Sequence, residues 1–243
     1  MKIYGQSDIG LKREMNQDSI YYVTNENNES LAIVCDGIGG GKAGDVASQL
    51  GVEYFKNSFL TKGVLSNDNL IRSWINNTIV EANDLIFAQS TSSRSKRGMG
   101  TTLAGVLITP KSTFVFHLGD SRVYGLYDTF ISLTEDHNLA ADLVKAGELE
   151  ASEAMYHPKG SMLTNALGIW GDVKVDINKI KDNYRALLIC SDGLHGYVSH
   201  EYIERVIRSN EATEKKVKDL IDASNLAGGY DNVSVIICNK EED

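Results

Sequence analysis

Several things are scarce in this sequence, and each scarcity excludes something. No apolar run approaches the roughly 18 residues a membrane-spanning helix requires. The opening residues, Met1 to Gln6, lack the apolar core of a secretion signal, so a soluble cytoplasmic protein is expected. Cysteine is limited to Cys35, Cys190 and Cys238. An odd number at wide spacing, each inside an apolar run, reads as buried reduced thiols rather than a disulfide framework. The only prolines are Pro110 and Pro158, so no Pro-rich linker divides the chain. Basic residues are outnumbered, 24 against 33 acidic, for a formal charge of −9. Such a chain repels phosphate backbones, and binding to nucleic acid is not expected. At 243 residues it can bury a sizeable core without staples.

What is present is a series of short β-rich runs: 31–35, 102–108, 113–118, 122–127, 173–177, 185–190 and 233–238. Their Val, Ile, Thr, Tyr and Phe content favours strands. The close succession of the runs at 102, 113 and 122 suggests an antiparallel meander. Helical periodicity covers 46–59, with Ala47, Leu50, Tyr54 and Phe55 near one face. It covers 68–89 through Ile71, Trp74, Ile75, Ala82, Leu85 and Ile86, all expected in the core. Shorter stripes join Tyr202 to Ile207 and Val217 to Ile221. Strict strand–helix alternation is absent. An α+β arrangement with helices over antiparallel sheets is therefore expected, not a doubly wound parallel sheet. The segment 138–171 starts with a helical piece, Leu139 to Ala146, then turns polar, as a surface flap over a site would.

Four apolar runs carry an aspartate at one end: Asp36 after 31–35, Asp120 after 113–118, Asp192 after 186–190, and Asp231 before 233–238. Each is flanked by glycine or lies close to one, and singly each reads as a turn. As a set they read differently. Antiparallel neighbours place one strand's C-terminal end beside the next strand's N-terminal end, so all four can share one rim. Converging buried carboxylates must be protonated or neutralised. No matching group of Lys or Arg accompanies them. Divalent metal is the economical answer, and all-oxygen ligation suits Mg²⁺ or Mn²⁺ better than zinc. Near the N-terminus, Arg13 lies within Gly10 to Asp18 and could offer its planar fork to a phosphate.

These residues resemble the metal-dependent protein phosphatase family of type 2C, especially its bacterial members. The motifs run in order along nearly the whole chain: Gly10…Arg13…Asn16-Gln17-Asp18, Asp36-Gly37-Ile38-Gly39-Gly40, Gly100-Thr101-Thr102, Gly119-Asp120-Ser121-Arg122, Leu133 to Asn138, Leu163 to Gly168, Ser191-Asp192-Gly193-Leu194, and Gly228 to Ser234. The resemblance implies one domain over 1–243: a four-layer α-β-β-α sandwich of two central antiparallel sheets, with a flap at about 139–170. It implies a centre of two Mn²⁺ or Mg²⁺ ions. Asp36 would bridge them, the Gly37 carbonyl would bind one, and Asp192 and Asp231 would hold the other. A third ion, as in bacterial relatives, would lie on Asp120 and Asp192. Asp18 would orient the attacking water and Arg13 would hold the substrate phosphate.

Water between two cations loses a proton near neutral pH and attacks phosphorus in line, with no protein nucleophile. The expected activity is hydrolysis of phosphoserine and phosphothreonine in signalling proteins by a cytoplasmic monomer, opposed by a serine/threonine kinase. Two other functions suit the same residues: a catalytically silent phosphoprotein-binding module and a small-molecule phosphohydrolase. Ile38 and Gly41-Lys42 stand where many relatives carry a histidine, and Gln17 stands where an acidic residue is common. Among the histidines, His137 and His195 lie nearest the motifs. The basic residues Arg94, Lys96 and Arg97 read as a solvated loop.

Overall fold

The computed structural model describes residues 1–38, 43–150, 152–153 and 157–240. The second glycine pair of the Asp36 motif, residues 39–40, and the positions 41–42 therefore lie outside the described residues, as do 151 and 154–156 in the flap.

Two antiparallel sheets lie face to face. The first has the order β1 (Lys2–Asp8), β11 (Val233–Asn239), β10 (Ala186–Cys190), β7 (Arg122–Leu126) and β8 (Phe130–Ser132). The second runs β2 (Asp18–Thr24), β3 (Ser30–Ile38), β5 (Leu103–Ile108), β6 (Thr113–Leu118) and β9 (Asp176–Ile180), with the short β4 (Gly100–Thr101) also paired to β3. Strand alternation sorts the side chains into three cores. In β3, Leu31, Ile33 and Cys35 face α1 (Gly44–Thr61) and α2 (Asp68–Ser92), while Ala32 and Val34 face the opposite sheet. In β10, Leu187 and Ile189 lie between the sheets. Ala186, Leu188 and Cys190 face α4 (Asp192–His195), α5 (His200–Arg208) and α6 (Thr213–Leu226). The result is the expected four-layer α+β sandwich. Its inner strands β5 and β6 are buried along their whole length, which is why they read as unbroken apolar runs. All three cysteines are buried free thiols, with Cys35 and Cys190 turned away from their neighbouring aspartates into the helix-side cores.

Four differences from the sequence reading have physical causes. The expected meander breaks after β6: β7 pairs with β10 and β8 in the other sheet. The crossing is made at Gly119, whose φ of +98° is open to glycine but strained for other residues. That crossing puts Asp120 at the rim between the sheets. Strands β1 and β2 were not distinguished because they lie at sheet edges, half-buried, with mixed polar and tyrosine composition and no apolar run. The strand expected at 173–177 is Asp176–Ile180, because pairing to β6 sets its bounds (His117 opposite Asp176), while Val173 and Val175 pack as loop residues. Leu85 is on the exposed side of α2 rather than in its buried stripe.

The flap segment contains α3 (Leu139–Lys145), capped by the Asn138 side chain accepting from the Ala141 N–H at 2.9 Å. Its base is closed by a bridge between Asn138 and Leu163.

Candidate metal centre and phosphate-binding rim

Asp36 continues the row of Ala32 and Val34, so its side chain projects between the sheets where they open at one rim. Its backbone is pinned on both sides. The Asp36 N–H donates to Thr102 Oγ1 at 2.9 Å, and its carbonyl accepts from the Thr102 N–H and from Thr101 Oγ1, each at 2.9 Å. Thr102 Oγ1 also shares a hydrogen bond with Ser121 Oγ at 2.7 Å, tying β3 to the Asp120 turn. Asp18 is the direct cross-strand partner of Asp36. Next in line, Gly37 donates its N–H to the Gln17 carbonyl at 3.1 Å, and a Cβ there would overlap the Gly44 carbonyl. Only glycine allows that approach of α1 to the strand end.

The other aspartates arrive from the first sheet and from the crossing. Asp192 opens α4 immediately after β10. Asp231 precedes β11, its Oδ1 accepting from the Asn232 N–H at 2.9 Å. Asp120 is buried in the β6–β7 crossing. The four therefore meet across two stacked sheets rather than along one, and Asp18 joins them as a fifth carboxylate.

Their electrostatics record the convergence. Burial holds Asp36 well above the carboxylate range, reinforced by repulsion from Asp18, Asp192, Asp120 and Asp231. Burial, then Asp192 and Asp136, pushes Asp120 up to about 8. Asp192 is raised by burial and next by Asp231. Burial pushes Asp18 up to about 7, even though hydrogen bonds from Ser234 and Ser191 favour its charged form. Ser191 Oγ donates to Asp18 Oδ2 at 2.8 Å, and Asp18 Oδ1 is buried with no partner. Converging buried carboxylates of this kind are stabilised by protons or by cations. All are hard oxygens, and so the residues fit Mg²⁺ or Mn²⁺.

Among the described residues, one cation is ion-paired to this rim. Arg13 Nη2 donates to Asp231 Oδ2 at 2.7 Å, and Nε to the Tyr230 carbonyl at 3.3 Å. Its side chain stays half exposed, leaving the rest of the fork open to solvent. The other nearby arginine is committed elsewhere: Arg122 holds Asp136 through two bonds of 2.7 Å.

Sequence reasoning named these residues but missed what holds them. Asn232 is the main omission. Its Nδ2 donates to the carbonyls of Ile9 and Met15 at 2.9 and 3.0 Å, and its Oδ1 accepts from the Gln17 N–H at 2.9 Å. One side chain thus fixes the whole Arg13 loop against the Asp231 turn. The Asp-Asn dipeptide was visible, but nothing local tells a turn asparagine from one bridging 217 positions in sequence.

The two histidines nearest the motifs are scaffold groups. His195 Nε2 donates to the Asp120 carbonyl at 2.9 Å, and burial pushes its pKa down to about 4. His137 Nδ1 accepts from the Gly119 N–H at 3.3 Å and from Asn165 Nδ2 at 3.1 Å, so its Nε2 carries the proton toward Asp176 Oδ2 at 3.2 Å. With His117, these make a trio of ligand-type atoms within 4.8 Å, separate from the aspartate cluster. The bonding makes His137 a donor to Asp176, the wrong tautomer for a shared ion there. No described helix is long and apolar enough to cross a membrane.

Comparison with known proteins agrees with the geometry. A family model described as Protein phosphatase 2C matches residues 9–226. The chain is 34% identical over 238 residues to the serine/threonine phosphatase stp of Listeria monocytogenes, covering 97% of this chain and 94% of that protein. It is 32% identical over 246 residues to the protein phosphatase PhpP of Streptococcus pneumoniae, covering 100% and 99%. The crystal structure of the serine/threonine phosphatase Stp1 from Staphylococcus aureus superposes with a TM-score of 0.94 at 29% identity, covering 99% and 95%. With five acidic side chains gathered at the rim and an arginine beside them, the chain belongs to the protein phosphatase 2C family, the metal-dependent serine/threonine phosphatases.

Proposed function

We propose that the aspartate rim is the metal centre of a phosphoserine/phosphothreonine protein phosphatase and that its residues divide the work as follows. Asp36, the Gly37 carbonyl, Asp192 and Asp231 would hold Mn²⁺ or Mg²⁺ ions, with Asp120 and Asp192 as the donors for a further one. The ions would supply water acidified to near-neutral pKa and neutralise charge gathering on the phosphoryl oxygens. Asp18 Oδ1, the one oxygen of that carboxylate without a protein partner, accepts a hydrogen bond from the attacking water and orients it. Arg13 turns its exposed donors to two oxygens of the substrate phosphate, fixing phosphorus for in-line attack. His195, neutral and committed to the Asp120 carbonyl, keeps that carboxylate aimed and is not the proton donor to the leaving alcohol.

The observation carrying this reading is the convergence of Asp18, Asp36, Asp120, Asp192 and Asp231 at one rim, where, among the described residues, Arg13 is the cation ion-paired to the cluster. The working protein in this proposal is one cytoplasmic domain over 1–243, a monomer, acting against a serine/threonine kinase. Its test is Mn²⁺-dependent phosphate release from a phosphothreonine peptide by wild type and Asp192→Ala. Release is expected to fall at least about a thousandfold in the variant, and equal rates would refute the site. Asp36→Asn separates an enzyme from a silent binding module, since only the enzyme loses its function.

A further inference from the structure

Large apolar side chains stand exposed at the rim beside Arg13. Leu11 is 66% exposed, Leu226 88%, Tyr230 54% and Tyr197 42%. These four are not scattered. The Tyr197 and Tyr230 rings lie with centroids 5.7 Å apart. Leu11 and Lys12 donate their N–H groups to the Gly229 carbonyl at 2.8 and 3.0 Å. The Gly228-Gly229 turn, at φ +129° and +55°, folds the Tyr230 ring back on Gly228 and brings Leu11 against Gly229. Both contacts occupy space where any side chain at 228 or 229 would stand. Beyond Leu11 an open cleft of about 370 Å³ is lined by Leu11, Leu226, Asn225 and Asp222.

This strip is continuous with the phosphate-binding end of the site. The Tyr230 carbonyl accepts from Arg13 Nε, and Leu11 and Arg13 share one loop. A phosphoprotein whose phosphate lies at Arg13 must run its flanking residues over neighbouring surface. Residues one or two positions away in an extended peptide lie about 3.3–7 Å along the chain, within reach of the paired rings. Exposed large apolar groups in a fixed array mark a recognition surface more often than chance, and tyrosines lose little entropy on engaging a partner.

We propose that Tyr197, Tyr230, Leu11 and Leu226 form a subsite for a large apolar side chain flanking the phosphorylated residue of the substrate protein. The proposal rests on the assignment of Arg13 to the phosphate. Asp222 at the cleft edge is ion-paired to Lys218, so discrimination against an acidic residue in the same place comes from the apolar lining.

The test uses phosphothreonine peptides on an alanine background, with a single leucine moved through the two positions on each side of the phosphothreonine. Each is assayed with Mn²⁺ for kcat/KM. Wild type is expected to favour leucine over alanine about five- to tenfold at one or two of these positions, and to disfavour glutamate there. In Tyr230→Ala/Leu226→Ala the leucine-to-alanine ratio falls to about one. Leu226→Ala alone, on a side chain almost wholly in solvent, keeps the fold and lowers the ratio in part. A flat profile in wild type, or a preference that survives the double substitution, overturns the subsite alone. No phosphate release from any peptide overturns the phosphatase assignment and the subsite with it.

Discussion

Replacing Asp18 by asparagine should stabilise the metal-free protein while impairing the enzyme. Asp18 is fully buried, and burial with the charges of Asp192 and Asp231 moves it from an ordinary 3.8 to about 7. A raised acid binds its proton more tightly in the folded state. The wild type therefore carries its full stability below the ordinary value and loses it as pH climbs toward 7. The gap corresponds to about 4 kcal/mol at pH 8 and less than half of that at pH 5, using 1.36 kcal/mol per tenfold. Asparagine has the same shape, keeps an oxygen for the Ser191 hydroxyl and carries no charge. In EDTA, Asp18→Asn should therefore melt above wild type by about 8–16 °C at pH 8 and by about 3–6 °C at pH 5, at 2–4 °C per kcal/mol for a chain of this size. Added Mn²⁺ should raise wild type strongly at pH 8, because the ions take over the role of the protons, and should raise the variant less. The assay is thermal unfolding by circular dichroism across pH, with and without metal. A variant that is less stable than wild type at both pH values, or an advantage that does not change with pH, would refute the claim that burial, reinforced by Asp192 and Asp231, makes the charged form of Asp18 costly.

Two further outcomes follow from the same geometry. Arg13→Ala removes the charged donors on the rim and should lower kcat/KM on a phosphothreonine peptide by about ten- to a hundredfold, with Arg13→Lys intermediate because a point charge cannot grip two oxygens; unchanged kcat/KM in Arg13→Ala excludes it from phosphate binding. Asn232→Ala strands the carbonyls of Ile9 and Met15 and the N–H of Gln17, and should cost about 3 kcal/mol, read as a lower urea midpoint, while also loosening the Arg13 loop and raising KM.

Much of the architecture was legible in the chain because inner strands and amphipathic helices advertise themselves. β5, β6 and β10 are buried along their length, so their composition could not be other than apolar. Asn67 and Asn138 cap α2 and α3, their side chains accepting from the N–H groups of Leu70 and Ala141. The edge strands β1 and β2 were hidden because one half-buried face tolerates almost any residue. The site was legible for a different reason: each of Asp36, Asp120, Asp192 and Asp231 is attached to the end of an apolar run, and glycine stands beside or close to each. Asn232, Ser191 and Thr102 were visible as letters, but their partners lie 19 to 223 positions away, beyond any local pattern.

The chain by itself determined which side chains are candidates for the chemistry, because strand ends and turn glycines are local facts. Tertiary structure alone decided that they meet. The chain crosses from one sheet to the other at Gly119, Asp18 stands opposite Asp36 across a strand pair, and Asn232 ties the first loop to the last strand. Such convergence depends on the register and stacking of two sheets, which no short window of sequence encodes. The same is true of the apolar strip beside Arg13, assembled from residues more than two hundred positions apart.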